Sequence, residues 1–121
     1  MASRSAHDRY IETALWSSTD DDGDPLDEGQ HDLSDEARSQ MGADVERFFN
    51  GLSELGLDLS GHTDERIAHD FWLTRNGHGA GFWDGDYADL GEENVKLLTD
   101  IAKAFGSSDL YVGDDGEIYV S

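Results

Sequence analysis

Apolar residues recur every three or four positions through three stretches of the chain and alternate with other residues through two more. In residues 5–16, SAHDRYIETALW, Tyr10, Ile11, Ala14 and Leu15 fall on one helical face, with Asp8 near the start. This spacing predicts a short amphipathic helix. Ser34 followed by Asp35 and Glu36 has the form of an N-cap with acids in the first turn, where the helix dipole favours them. Ala37, Met41, Val45, Phe48, Leu52 and Leu55 then step by four or three residues, Phe49 widens the stripe, and Gly56 supplies a C-cap. Gly42 and Gly51 each cost this long helix about 1 kcal/mol relative to Ala, which tertiary packing has to offset. Residues 91–105, GEENVKLLTDIAKAF, set Val95, Leu98, Ile101, Ala102 and Phe105 on one side, with Glu92 and Glu93 in the first turn and Gly106 as the stop.

The other two stretches read as hairpins. After a polar link around Ser60, Gly61 and Thr63, the segment HDFWLTRNGHGAGFWDGD (residues 69–86) shows a period of two around Asn76-Gly77, the dipeptide that a type I′ turn favours. Whether the loop is Asn76-Gly77 or all four residues NGHG, Phe71, Leu73, Ala80 and Phe82 share one face. Trp72, Thr74, Gly79, Gly81 and Trp83 share the other. The tail DLYVGDDGEIYVS repeats the design around Asp114-Asp115-Gly116, pairing Val112 with Ile118 and Tyr111 with Tyr119. The predicted fold is therefore a two-layer α+β domain: helices packed on the aliphatic face of a four-stranded antiparallel sheet made of two hairpins, in the order helix, helix, hairpin, helix, hairpin. The strand order between the hairpins stays open.

A chain of 121 residues fits one domain, here 1–121, with an exposed acidic loop at about 17–33 that carries no Lys or Arg. The absence of cysteine excludes disulfides and thiolate chemistry. The first residues carry acids and no long apolar run, so neither a secretory signal nor a membrane span is expected, and the cytoplasm is the default location. Charge changes the picture most: 28 acidic against 8 basic residues give a net charge of −20, and Lys96 and Lys103 are the lysines. Such a field repels nucleic acid and anionic lipid and attracts basic protein surfaces, although adaptation to high salt would produce the same composition.

Candidate chemistry follows from these placements. Asp20, Asp21, Asp22, Asp24, Asp27 and Glu28 in the loop, with Asp35 and Glu36 at the head of the long helix, form the candidate acidic surface. Asp44, Glu46 and Glu54 could extend the row along that helix. Trp72, Trp83, Tyr111 and Tyr119 would all lie opposite the main helices, a face too apolar to leave bare, so the first helix, a second copy of the chain or a partner should cover it. Gly79 and Gly81 lie across from Trp72, and either an indole covers their backbone or they floor a groove for a flat ligand. With His69 and His78 these residues make up an alternative ligand-binding or enzymatic site. His69 and Asp84 at the open end stand about 13–20 Å from Arg75 and His78 at the tip, too far for one catalytic centre. Ser18 to Gly23 imitates the start of an EF-hand loop, but Gly29 stands where that loop needs Glu. Known nucleophile and phosphate motifs are absent, and neither metal nor cofactor is expected.

The segments HDFWLTRNGHGAGFWD, ALWSSTDDDGDPLD and LYVGDDGEIYV, in that combination, resemble a family of small acidic bacteriophage-encoded proteins without an established activity. The resemblance implies a phage accessory protein in the bacterial host cytoplasm. With the charge, the expectation is a non-enzymatic protein that binds a basic host protein, as a nucleic-acid mimic or an anti-defence inhibitor.

Overall fold

Two hydroxyl side chains start the two central helices. In the computed structural model, which describes residues 4–19, 23, 25–26, 31–57, 59, 61–77, 82 and 87–121, Ser34 accepts a hydrogen bond from the Ala37 N–H and Thr63 accepts one from the Arg66 N–H. Each is followed by two acids in the first turn, Asp35 and Glu36 in one case, Asp64 and Glu65 in the other. The described elements are α1 (Arg4–Ser17), α2 (Asp35–Leu55), α3 (Asp64–Arg75), a 3-10 turn (Ala88–Leu90), α4 (Glu92–Ala104), β1 (Leu110–Val112) and β2 (Ile118–Val120). None of the described helices is long and apolar enough to cross a membrane.

The expected four-stranded sheet does not form. The described residues contain four helices and one two-stranded antiparallel sheet, because α3 runs on to Arg75 through the stretch where the first strand of the 69–86 hairpin was expected. The reason is burial on almost every side. Ile67, Ala68 and the whole run from Asp70 to Arg75 are buried, since α3 lies against α1 on one side and α4 on another. A helix enclosed in this way shows no one-sided stripe, and its consecutive Phe71, Trp72 and Leu73 imitate a strand. Asn76-Gly77, taken as a hairpin turn, stops this helix instead: Asn76 is the C-cap, and Gly77 adopts a φ of +74° that a side chain would resist.

The core is a column of rings. Phe48 of α2 and Phe71 of α3 stack face to face with centroids 4.0 Å apart and planes inclined by 2°. Tyr10 of α1 stacks on Phe71 at 5.2 Å, and Phe82 lies 5.9 Å from Phe48. Trp72, expected on an outward aromatic face, is only 2% exposed. Its ring edge meets Tyr10 at 5.5 Å, and its indole N–H donates to Ser17 Oγ at 2.9 Å. The apolar stripes of α1, α2 and α4 fall where the periodicity placed them, although Leu55 is exposed.

The C-terminal hairpin has the expected register, Leu110 with Val120, Tyr111 with Tyr119 and Val112 with Ile118. Gly113 N–H donates to Glu117 O at 2.8 Å, enclosing the three-residue turn, and Gly116 takes a φ of +83°. The segment leading into α2 adds to this hairpin: Ile118 N–H donates to Asp32 O at 2.8 Å, and Ser34 N–H donates to Ile118 O at 2.9 Å. Within the expected exposed loop, Leu26 is a core residue at 3% exposure.

A buried polar network closes the helical half. The Arg75 guanidinium donates to Asp44 Oδ2 at 2.8 Å, to the Tyr10 hydroxyl at 2.9 Å, and to the carbonyls of Phe105 and Gly106 at 3.1 and 2.9 Å. It thereby ties α1, α2 and the end of α4 to α3. Burial pushes the Tyr10 phenol up to about 12, against the opposing pull of Arg75. A proton held more tightly in the folded chain than in the unfolded one stabilises below the ordinary value of 10.0, and that contribution disappears as pH rises towards 12. Urea unfolding should therefore show stability declining across that interval by up to roughly 3 kcal/mol. Tyr10→Phe should flatten the decline.

Candidate functional site

The structure disperses the residues that the sequence grouped on one aromatic face. Trp72 belongs to the core and offers no ring face to a ligand. His69 lies on α3 and donates from Nδ1 to Asp70 Oδ1 at 2.9 Å. Asp70, 1% exposed, also accepts from the Tyr87 hydroxyl at 2.6 Å and lies 3.4 Å from Arg66 Nε. That carboxylate fixes the His69 tautomer and fastens α3 to the turn before α4. The groove expected on the hairpin of residues 69–86 does not exist in that form, since its first strand is part of α3. His78, Gly79, Gly81 and Trp83 lie outside the described residues, as do Asp84 and, from the acidic set, Asp20, Asp21, Asp22, Asp24, Asp27 and Glu28. Among the described residues no cluster of three or more His, Asp or Glu side chains is arranged to hold a metal ion.

Four of the candidate residues are brought together. Asp35 and Glu36 open α2, and Tyr111 and Tyr119 project from the outer face of the hairpin, opposite buried Leu110 and Ile118. The pairing of residues 32–34 with Ile118 sets the first turn of α2 beside this hairpin. A shallow depression of about 380 Å³ results, lined by Glu36, Tyr111, Gly113, Asp114, Asp115 and Tyr119.

The two rings form one platform. Their centroids lie 5.9 Å apart with planes inclined by 26°, as expected of residues directly opposite in an antiparallel pair. Tyr111 is 51% exposed. Tyr119 is held by its surroundings: its hydroxyl donates to Asp115 Oδ2 at 2.6 Å, and its ring lies over the Gly113 backbone so closely that a Cβ there would come within 2.6 Å of it. Here an aromatic ring covers a glycine backbone, that of Gly113, whereas Gly79 and Gly81 lie outside the described residues.

Electrostatics make the platform a place for positive charge. Asp115 stays below the ordinary carboxylate range because it accepts from Tyr119 and from backbone N–H groups. Its charge, followed by burial and by Asp35 and Asp32, pushes Glu117 up. The hydrogen bond to Asp115, with the nearby charges of Glu117 and Glu36, pushes the Tyr119 phenol up to about 12. Of the three shifts only that of Glu117 is led by a neighbouring charge, while those of Asp115 and Tyr119 follow first from the hydrogen bond between them. Sequence reasoning missed Asp32, Asp114, Asp115 and Glu117 as members, though Asp-Asp-Gly-Glu between two outward tyrosines was there to be read.

Neither a protein-family model, nor a curated protein, nor a solved structure matches the chain, so the functional reading rests on this geometry.

Proposed function

We propose that the protein is a non-enzymatic binding module that engages a basic surface of a partner protein through the acid-rimmed tyrosine platform. In the phage setting that the resemblance implies, the partner is a host protein, and its basic surface is one that otherwise meets nucleic acid. One observation carries the reading: the exposed Tyr111 ring and its neighbour Tyr119 sit among the carboxylates of Glu36, Asp114, Asp115 and Glu117. Paired rings supply contact area at low entropic cost, and the surrounding carboxylates steer a basic surface on to them.

The test separates this patch from the charge of the whole molecule. Binding of a peptide of alternating Lys and Arg should weaken about tenfold or more between about 50 mM and about 300 mM salt, as exposed charges are screened. Replacing Glu36, Asp114 and Glu117 by their amides should weaken it further. Neutralising Glu92, Glu93 and Asp100 on α4, none of which lines the depression, should have a smaller effect. Equal losses from the two triple variants would show that only the overall charge attracts the peptide.

A further inference from the structure

We infer that the group received by this platform is an arginine guanidinium of the partner, a refinement that rests on the binding function proposed above. The site makes three separate demands on an occupant. It must be cationic, because three carboxylates, Glu36, Asp114 and Asp115, line the depression and no basic side chain does. It must present a flat, weakly hydrated face, because half-exposed Tyr111 offers an aromatic ring, with that of Tyr119 beside it at 5.9 Å. It must also donate hydrogen bonds within its own plane, towards the rim. The side-chain carboxylates of Glu36 and Asp114 make no hydrogen bond or ion pair with the described residues, while that of Asp115 is already engaged by the Tyr119 hydroxyl and the Glu117 N–H.

A guanidinium meets all three, since it stacks on an aromatic ring and aims its N–H fork outward at carboxylates. A lysine ammonium meets only the first, being a compact and strongly hydrated point charge. A divalent cation needs convergent oxygens, and the described carboxylates form no such cluster. The platform is also preorganised. Tyr119 is held by Gly113 beneath it, Asp115 at its hydroxyl and Tyr111 alongside, so little ordering remains when a ligand arrives.

Three peptides of one sequence, carrying at the same positions arginine, lysine or citrulline, separate the demands. Lysine keeps the charge without the plane, and citrulline keeps the plane without the charge. Titrated into the intact protein at physiological salt with the tyrosine ring resonances followed by NMR, the arginine peptide should bind about fivefold tighter than the lysine peptide. It should exceed the citrulline peptide by more than that and shift Tyr111 and Tyr119 selectively. Tyr111→Phe should keep the preference for arginine over lysine, and Tyr111→Ala should abolish it. Gly113→Ala, whose methyl group displaces the Tyr119 ring, should reduce it. Equal affinity for the arginine and lysine peptides, or a preference that survives Tyr111→Ala in a chain shown by circular dichroism to be folded, overturns the inference. Either result leaves the acidic-surface reading standing, because that reading fails on its own test of salt and charge removal.

Discussion

Asp44→Ala should cost about 3–5 kcal/mol, because it leaves the buried Arg75 guanidinium facing only neutral acceptors. The Arg75 side chain is only 5% exposed. Once Asp44 is gone, the Tyr10 hydroxyl and the carbonyls of Phe105 and Gly106 remain, with the rings of Phe71 and Phe105 each 5.5 Å from the guanidinium carbon. Burial alone disfavours that charge, and the neighbouring Tyr10 and Asp44 reverse the balance, so the Arg75 pKa lies above its ordinary value. Since whole-domain stability is typically about 5–15 kcal/mol, such a loss should appear in urea unfolding as a transition near the start of the titration. Asp44→Asn keeps an acceptor and should cost less. The double replacement Asp44→Leu with Arg75→Met should recover part of the loss, because it removes the stranded charge as well as its partner. A cost below about 1 kcal/mol for Asp44→Ala would mean that water enters and solvates the guanidinium.

Phe48→Ala should be comparably damaging, at about 3–5 kcal/mol, for a different reason. Its ring lies against those of Phe71 at 4.0 Å, Phe82 at 5.9 Å, Phe49 at 6.0 Å and Phe105 at 6.1 Å. These neighbours sit on α2 itself, on α3, beyond the end of α3, and at the end of α4, so no single element can slide in to fill the void. Much of the cavity should persist, and the cost should fall near the upper end for a buried ring. Phe48→Leu, which keeps most of the volume, should lose considerably less. Equilibrium unfolding of both variants checks the prediction.

Local signals were enough for α1, α2, α4 and the C-terminal hairpin, where each face meets the core on one side only. They failed at α3 for a physical reason already visible in its burial. Thr63-Asp64-Glu65 carries the same start signal as Ser34-Asp35-Glu36, and the second was recognised because a one-sided apolar stripe follows it. Behind Thr63 apolar residues come on all sides, and the run ends in Asn-Gly, which terminates helices as readily as it turns hairpins. The candidate site was half legible. Alternation put Tyr111 and Tyr119 outward, and capping put Asp35 and Glu36 at the head of a helix. That these two places adjoin depends on residues 32–34 pairing with Ile118, more than eighty residues away, and no local pattern encodes a contact at that distance.

The first helix of the chain finds its largest contact in the third, with some fifty residues between them. A ribosome delivers α1 long before it delivers α3, so Tyr10, Ile11 and Ala14 wait without their cover while α2 is being made. That face is covered only when residues 64–75 clear the exit tunnel, and α4, which packs on another side of α3, follows later still. A net charge of −20 for the whole chain makes neighbouring copies repel one another while that apolar face is open.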